Sequence, residues 1–400
     1  MITISSRRVG GAALGLSAVL ALAACGSSND STSSTASSAA SSAAPADCTL
    51  PPGDIKIVSV DSMTGPAAFA GVLAEQGASL AVKEINSSSL LGSGVTMSID
   101  VQDDATSPDG SASAFTKAAA DPSVPAILGP ILSAGGVATA PIAEKEKVPV
   151  VYTQAGSPGV VIGDWTFRYT PPMDSYWADV KPYVQQQGVK SISVLYANDN
   201  PTLISVAEKA LPAMAQELGI KVLSSTGLPN STQDFKAPIS KILSENPDAV
   251  AVLMVGAQNA TVVQQLRQQG WNPPKVLLGF AGIENNFKDL GKTANGVTWA
   301  TVWSPDSTEK SVQDFVKAFT AEYGNAPTSY SAERYDATYL IANALKKACS
   351  TDRQKVRDAM AEITSQPVVG AMGTVTFDKQ DARIPGLLAE WKDTQLVLIK

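Results

Sequence analysis

Residues 54–102 read DIKIVSVDSMTGPAAFAGVLAEQGASLAVKEINSSSLLGSGVTMSIDVQ, and the architecture follows from their pattern. Ile55–Val60 is a short apolar run bounded by acids. Gly71–Asn86 then places Ala74, Ala78, Ala81 and Ile85 at spacings of 4, 3 and 4, one face of a helix. Val95–Gln102 is apolar and β-prone again. Strand, helix, strand in under fifty residues is a βαβ unit with parallel strands. The same alternation continues outward. Apolar runs at Val124–Leu128, Val148–Tyr152, Ser191–Tyr196, Ala249–Val255, Val276–Leu278 and Gly296–Thr301 read as strands buried on both faces. Thr202–Leu218, Gln233–Ser244, Ala260–Gln269, Thr308–Tyr323 and Ala332–Ala348 read as the intervening helices, with Ser231-Thr232-Gln233-Asp234 close to a capping box. The expected class is α/β.

Eight or more parallel strands are too many for one ordinary sheet, and Tyr169–Asp174 (Tyr-Thr-Pro-Pro-Met-Asp) interrupts the pattern. The reading is therefore two doubly wound, Rossmann-like lobes joined by a multi-strand hinge. Residues 54–171 and 301–372 form lobe 1, and 172–300 with 373–400 form lobe 2. The strand Gly296–Thr301 crosses back and Gly373–Asp378 crosses once more. Several crossings make a hinge whose closure can be coupled to binding.

The chain ahead of this is an address. Arg7 and Arg8 precede a short apolar run, Ala12–Leu22, followed by Leu22-Ala23-Ala24-Cys25-Gly26. Residues 1–24 read as a secretory signal, too short in its apolar part to span a bilayer. The cut site resembles the lipobox of bacterial lipoproteins, which makes Cys25 the lipidated N-terminus of the mature chain; a plain signal with a chance cysteine and a twin-arginine signal are the alternatives. Residues 25–53 form a Ser/Ala-rich tether. Its roughly twenty polar residues span about 25 Å and hold a globular body just clear of a membrane. Outside the cytoplasm Cys48 and Cys349 can pair; the alternative is two separate buried thiols.

Composition narrows the function. Among 400 residues there is no histidine, which removes the commonest general base and metal ligand. No metal site and no cofactor are expected. Loss of Arg7 and Arg8 with the leader takes the net charge from −7 to −9, which opposes nucleic-acid binding. No GxGxxG follows the first strand, and no GxSxG or CxxC occurs. Gly291-Lys292-Thr293 lacks the upstream glycine of a P-loop, where Asn286 stands. Ser307–Lys310 matches SxxK but reads better as a helix start. The chain is expected not to be an enzyme; an exported α/β enzyme is the rival of another class.

Ligands of open α/β sheets bind beyond the carboxyl ends of the strands. Three such loops are rich in small residues: Thr64-Gly65-Pro66 with Phe69, Gly129–Gly136, and Thr153–Pro158. The second opens a helix, whose free N–H groups favour an anion. Ser133 and Ser157 add hydroxyls, so these loops form a candidate carboxylate or amide clamp. Tyr176 and Trp177 are candidates to line the cleft; Trp299 and Trp303 read as packing residues.

The order and spacing of Ile55–Val58, Met63–Pro66, Ala81–Asn86, Ile127–Pro130, Val148–Val151 and Tyr335–Ala337 with Ala344-Leu345 resemble the leucine/branched-chain amino-acid-binding family, from about Asp54 to the end. The resemblance implies a type I periplasmic-binding-protein fold, closure on a solute, and delivery to an ABC permease by a monomer. A sensing module of the same fold is the second reading. By position, Ser133, Ala134 and Gly135 match the family's first carboxylate loop, and Gly156 and Ser157 the second. Lobe 2 departs from the pattern. Phe280-Ala281-Gly282-Ile283 stands where the family has an acid for the ligand ammonium, and Glu284 is the nearest acid. Asn198–Asn200 replaces a Tyr-Gly, and Gly256-Ala257-Gln258 an aromatic. The expected ligand-binding set is thus Thr64, Phe69, Ser133, Ala134, Gly135, Gly156, Ser157, Tyr176, Asn200, Ala257 and Ala281, with a carboxylate- or amide-bearing solute.

Overall fold

The computed structural model describes residues 49–172, 176, 180–279 and 287–399. The leader, residues 25–48 of the tether with Cys25 and Cys48, and Trp177, Ala281 and Glu284 lie outside these residues, and Gly53 at the end of the expected tether already belongs to the first strand.

Strands β1 (Gly53–Asp61), β2 (Val95–Asp103), β3 (Ile127–Leu128), β4 (Val150–Tyr152) and β5 (Thr166–Arg168) belong to one sheet. Strands β6 (Ser191–Ala197), β7 (Lys221–Leu228), β8 (Ala249–Leu253), β9 (Val276–Gly279) and β10 (Val297–Thr301) belong to a second. The chain then returns to the first sheet with β11 (Val368–Gly370), β12 (Gly373–Asp378) and β13 (Asp381–Arg383), and ends in the second with β14 (Leu387–Lys392) and β15 (Gln395–Ile399). The orders are β11-β12-β13-β5-β4-β3-β1-β2 and β15-β14-β10-β9-β8-β6-β7. Strands β1 to β5 pair with one another in parallel, as do β6 to β10, while β14 joins the outer side of β10 antiparallel.

Local chemistry sets the strand limits. Pro125 and Pro149 have no N–H to give to a ladder, so β3 and β4 start at Ile127 and Val150, later than the apolar runs begin. Strand β4 is fully buried because helices cover both faces. Strand β2 pairs with β1 from Gly53↔Val95 to Asp61↔Asp103, lies at the sheet edge, and is only partly buried.

Helix Ala68–Ser87 turns Ala70, Ala74, Ala78, Ala81 and Ile85 inward. It packs on helix Ser329–Ala348 so closely that a Cβ at Gly77 would fall 2.0 Å from the Ser331 carbonyl oxygen. Only glycine permits that approach. The expected helix Thr202–Leu218 is three segments: α-helical Pro201–Ser205, a π-turn Val206–Ala210 and α-helical Leu211–Leu218. Pro212 cannot donate to the carbonyl four residues earlier, and the widened turn takes up the missing bond. Residues Ser231–Asp234 do not start a helix. The N-cap is Phe235, and Asp234 accepts the Lys236 N–H at 3.0 Å.

Three crossings join the lobes. The first follows Arg168 and leads to helix Val180–Gln186; the second follows β10. The third differs from expectation. Gly373–Asp378 does not leave lobe 1, because β12 pairs antiparallel with β11 and β13, and β13 pairs with β5 at Asp381↔Arg168. Phe377 of β12 also packs edge-on against Tyr169, ring centres 5.4 Å apart. The last crossing is therefore the segment 384–386, and residues 373–383 belong to lobe 1. Cys349 is disulfide-bonded. Trp299 is fully buried, edge-on to Phe287, and Trp303 donates its indole N–H to the Ala371 carbonyl at 2.8 Å; both are packing residues.

Candidate functional site

The loops at the carboxyl ends of β1, β3 and β4 face those of β6 and β8 across a cavity of about 100 Å³. Lobe 1 supplies Phe69, Ile131, Ser133, Gln154, Gly156 and Tyr330 to its wall; lobe 2 supplies Asn200, Thr202, Val255, Gly256 and Asn259. Tyr176, on the first crossing, closes one side with its hydroxyl 3.3 Å from Thr170 Oγ1.

Helix Ser133–Glu146 begins at this wall. The first amides of a helix have no acceptor within it, so Ser133 and its successors present N–H groups and the positive end of the dipole. Three buried hydroxyls meet here from three strand ends. Thr202 donates to Ser133 Oγ at 2.5 Å, Ser157 Oγ lies 2.9 Å from Thr202 Oγ1, and the Ser157 N–H donates to Ser133 Oγ at 3.2 Å. Thr202 belongs to the opposite lobe, so the group joins the lobes.

Phe69 bridges them on the apolar side. Its ring meets Tyr330 edge-on at 6.0 Å and covers Gly256, where a Cβ would stand 3.0 Å from Phe69 Cε1. Gly256 adopts φ +60° and ψ −138°, a conformation essentially restricted to glycine. The space that an aromatic at this position would take is thus filled from lobe 1.

The loops are held from behind by helix Ser329–Ala348. Arg334, fully buried, donates to the Gly129 carbonyl at 2.9 Å and to Asp61 Oδ2 at 2.7 Å. Its neighbour Glu333 accepts the Gln154 N–H at 2.8 Å and the Thr170 hydroxyl at 3.1 Å. That bond holds Gln154 at φ +59°. Asp336 accepts the Ala371 and Met372 N–H groups at 2.7 and 2.8 Å. Burial pushes Glu333 up to about 8 and Asp336 up to about 7, because desolvation disfavours the charged form more than these bonds favour it. Burial likewise raises Asp61, against the opposing pull of Arg334.

No residue among the described cavity lining carries a charge. The polar groups at this wall are hydroxyls and amides, all able to donate: Ser133 at the helix start, Thr202, Asn200, Asn259, the two tyrosines, and Gln154, whose Nε2 is buried without a partner. Such a wall suits an anionic or strongly accepting group and offers no carboxylate to an ammonium.

Other expected residues fall elsewhere. Thr64 gives its hydroxyl and N–H to Asp103 at 2.6 and 3.1 Å and locks the loop to the end of β2. Ala134 and Gly135 line a neighbouring cavity, and Gly135 packs against Ser111 of helix Pro108–Ala120. Ser157 takes part through its hydroxyl but lines the hinge side. Asn200 lines the cavity while capping its own helix, accepting the Leu203 N–H at 3.2 Å. Ala257 starts helix Ala257–Gln268 without lining the cavity; Gly256 and Asn259 line it instead.

Two doubly wound lobes, three crossings and a cleft between the lobes are the architecture of a clamp for small solutes. Residues 54–393 match the family of periplasmic binding proteins. The chain belongs to that family. Among curated periplasmic binding proteins it is 24% identical over 369 residues to the Leu/Ile/Val-binding protein homolog 7 of Brucella abortus, covering 86% of this chain and 91% of that one. A leucine-binding protein of Thermotoga maritima shares the fold at TM-score 0.78 and 24% identity, over 86% of this chain and 98% of that one. So does a branched-chain amino-acid transporter substrate-binding protein of Streptococcus pneumoniae in complex with isoleucine, at 0.77 and 22%, over 87% and 100%. A solute-binding protein of Rhodopseudomonas palustris in complex with 4-hydroxybenzoate aligns at 0.76 and 19%, over 87% and 96%. The fold is the type I periplasmic-binding-protein fold. Among the described residues no helix is long and apolar enough to cross a membrane.

Sequence reasoning missed Tyr330, Thr202, Gly256, Asn259 and the role of Gln154. Thr202 and Asn259 had a usable signal, since both follow the ends of apolar strand runs. Tyr330 had none, because it reaches the cavity from a helix far along the chain.

Proposed function

We propose that the chain is an extracytoplasmic solute-binding lipoprotein of an ABC importer, anchored through Cys25, that closes two lobes around a small carboxylate- or amide-bearing solute. One observation carries the ligand class: a wall of donors at the start of helix Ser133–Glu146, with no charged side chain among the described lining residues. A carboxylate needs donors and positive dipole, which this wall supplies. An α-ammonium needs an acceptor of full charge, which the described wall lacks. An acid with an uncharged body is therefore favoured over a zwitterion, and Phe69, Tyr176 and Tyr330 suit a flat or branched apolar body. Proteins of this fold accommodate both kinds, isoleucine in one and 4-hydroxybenzoate in another.

The test is a thermal-shift panel of aromatic acids, aliphatic acids, amides and amino acids, run beside native mass spectrometry of the purified chain. At one hundred times Kd a ligand adds about 2.7 kcal/mol. With an unfolding entropy of about 2.1 cal/mol/K per residue, residues 54–393 gain about 4 °C. Shifts confined to acids or amides support the reading; no shift with any member overturns it.

A further inference from the structure

Arg168 is the last residue of β5 and stands immediately before the first crossing. Its side chain is 5% exposed, and its donors are placed on two targets. Nε and Nη2 grip both carboxylate oxygens of Asp381 at 2.6 and 2.8 Å. Nη1 donates to the carbonyls of Ala155 and Ser157 at 3.1 and 3.0 Å. Asp381 lies on β13, the strand that leads into the third crossing, and the Arg168 N–H also bonds the Gln380 carbonyl at 2.9 Å. Residues 155–157 are the clamp loop, whose Ser157 meets Ser133 and Thr202. One guanidinium therefore touches the clamp loop and the roots of two crossings.

We propose that Arg168 is a positioning residue that sets the clamp loop in its binding geometry and couples it to the hinge, so that closing the lobes and forming the clamp are one event. The inference rests on the clamp reading above. The chemistry requires arginine. A planar fork can take a carboxylate two-handed and still direct the two N–H groups of its third nitrogen at two carbonyls; a lysine offers all its donors from a single point. The arrangement is also all-or-none. Turning the loop away would strip a buried cation of two acceptors, and moving Asp381 would strip it of its counter-charge. Strain at either end is thus felt at the other.

The test uses Arg168→Met, Arg168→Lys and Asp381→Asn in the full mature chain, with two readouts. The first is amide hydrogen exchange without added solute. Arg168→Met is expected to raise exchange at least tenfold in both 153–160 and 380–387 and to leave helix Ser329–Ala348 unchanged. Asp381→Asn should raise the same two segments to a smaller degree, and Arg168→Lys should not restore them. The second is calorimetric affinity for 4-hydroxybenzoate and isoleucine, alone and with Ser157→Ala. Kd should rise at least tenfold in Arg168→Met, and Ser157→Ala should then cost less than it does in the parent. Unchanged exchange in 153–160 beside a lowered melting temperature, or additive effects with Ser157→Ala, would overturn the proposal. Should Arg168→Met fail to fold, Asp381→Asn, which keeps the fork, decides it. Should the parent bind neither probe, the thermal-shift panel decides the clamp reading on its own, and the exchange readout still decides the coupling.

Discussion

Ser133→Ala removes one oxygen at the meeting point of three strand ends. In the parent that oxygen accepts from Thr202 at 2.5 Å and from the Ser157 N–H at 3.2 Å, and it lies at the first turn of a helix. Two effects follow. The Ser157 N–H, buried, loses its acceptor, which costs about 1–3 kcal/mol of stability. A bound carboxylate also loses a hydroxyl donor. A hydrogen bond to a charged group contributes about 1.5–3 kcal/mol, which corresponds to roughly a 10- to 100-fold weaker Kd. The helix amides remain, so binding should weaken without vanishing. The assay is isothermal titration of the unfolded-and-refolded protein with the best acid of the panel, beside a melting curve. A Kd within threefold of the parent would refute the argument that Ser133 is part of the clamp.

Three further outcomes are expected. Stability should fall as pH rises from about 4.5 to 8, because folded Glu333 and Asp336 keep protons that the unfolded chain has released. Each group contributes about 1.4 kcal/mol per pH unit in its window, so urea unfolding at pH 5.5 should give a higher midpoint than at pH 7.5, and Glu333→Gln should flatten the slope. A flat or rising profile would count against the buried, protonated Glu333. Gly256→Ala forces a strained backbone costing about 1–3 kcal/mol and sets a methyl against Phe69, so affinity should drop at least tenfold by calorimetry; unchanged affinity would mean that the lobes do not close on Phe69. Cys25→Ser should move the protein from the membrane to the soluble fraction after cell fractionation, and persistent anchoring would remove the lipoprotein reading.

Much of the fold was legible because so many strands are buried on both faces. Strands β4 and β8 read as unbroken apolar runs for that reason, and β1 and β6 as runs broken only by Lys56 and single serines. Lys221–Leu228 escaped notice because β7 is an edge strand, only partly buried, and carries Ser224, Ser225 and Thr226. The three-residue strands β5, β11 and β13 are too short to show any period. Misreading β12 as a crossing had the same cause: its partners β11 and β13 were invisible, so nothing tied it to lobe 1. The lobe 1 half of the site could be read because its residues follow strand ends in the chain. Gly256 and Tyr330 matter only once two lobes and a distant helix come together, and no local pattern records that. Glu333 and Arg334, inside a helix, resemble ordinary surface charges until packing buries them under the ligand loops.

The decisive proposal is that donors and a helix terminus in the cleft hold the solute's accepting group, a charged carboxylate more tightly than an amide. It is tested most directly by titrating the refolded protein with an acid that binds and with its primary amide, which keeps the shape and removes the charge. The amide is expected to bind in the same cleft at least tenfold more weakly. Equal affinity for the pair, or tighter binding of the amide, would contradict it.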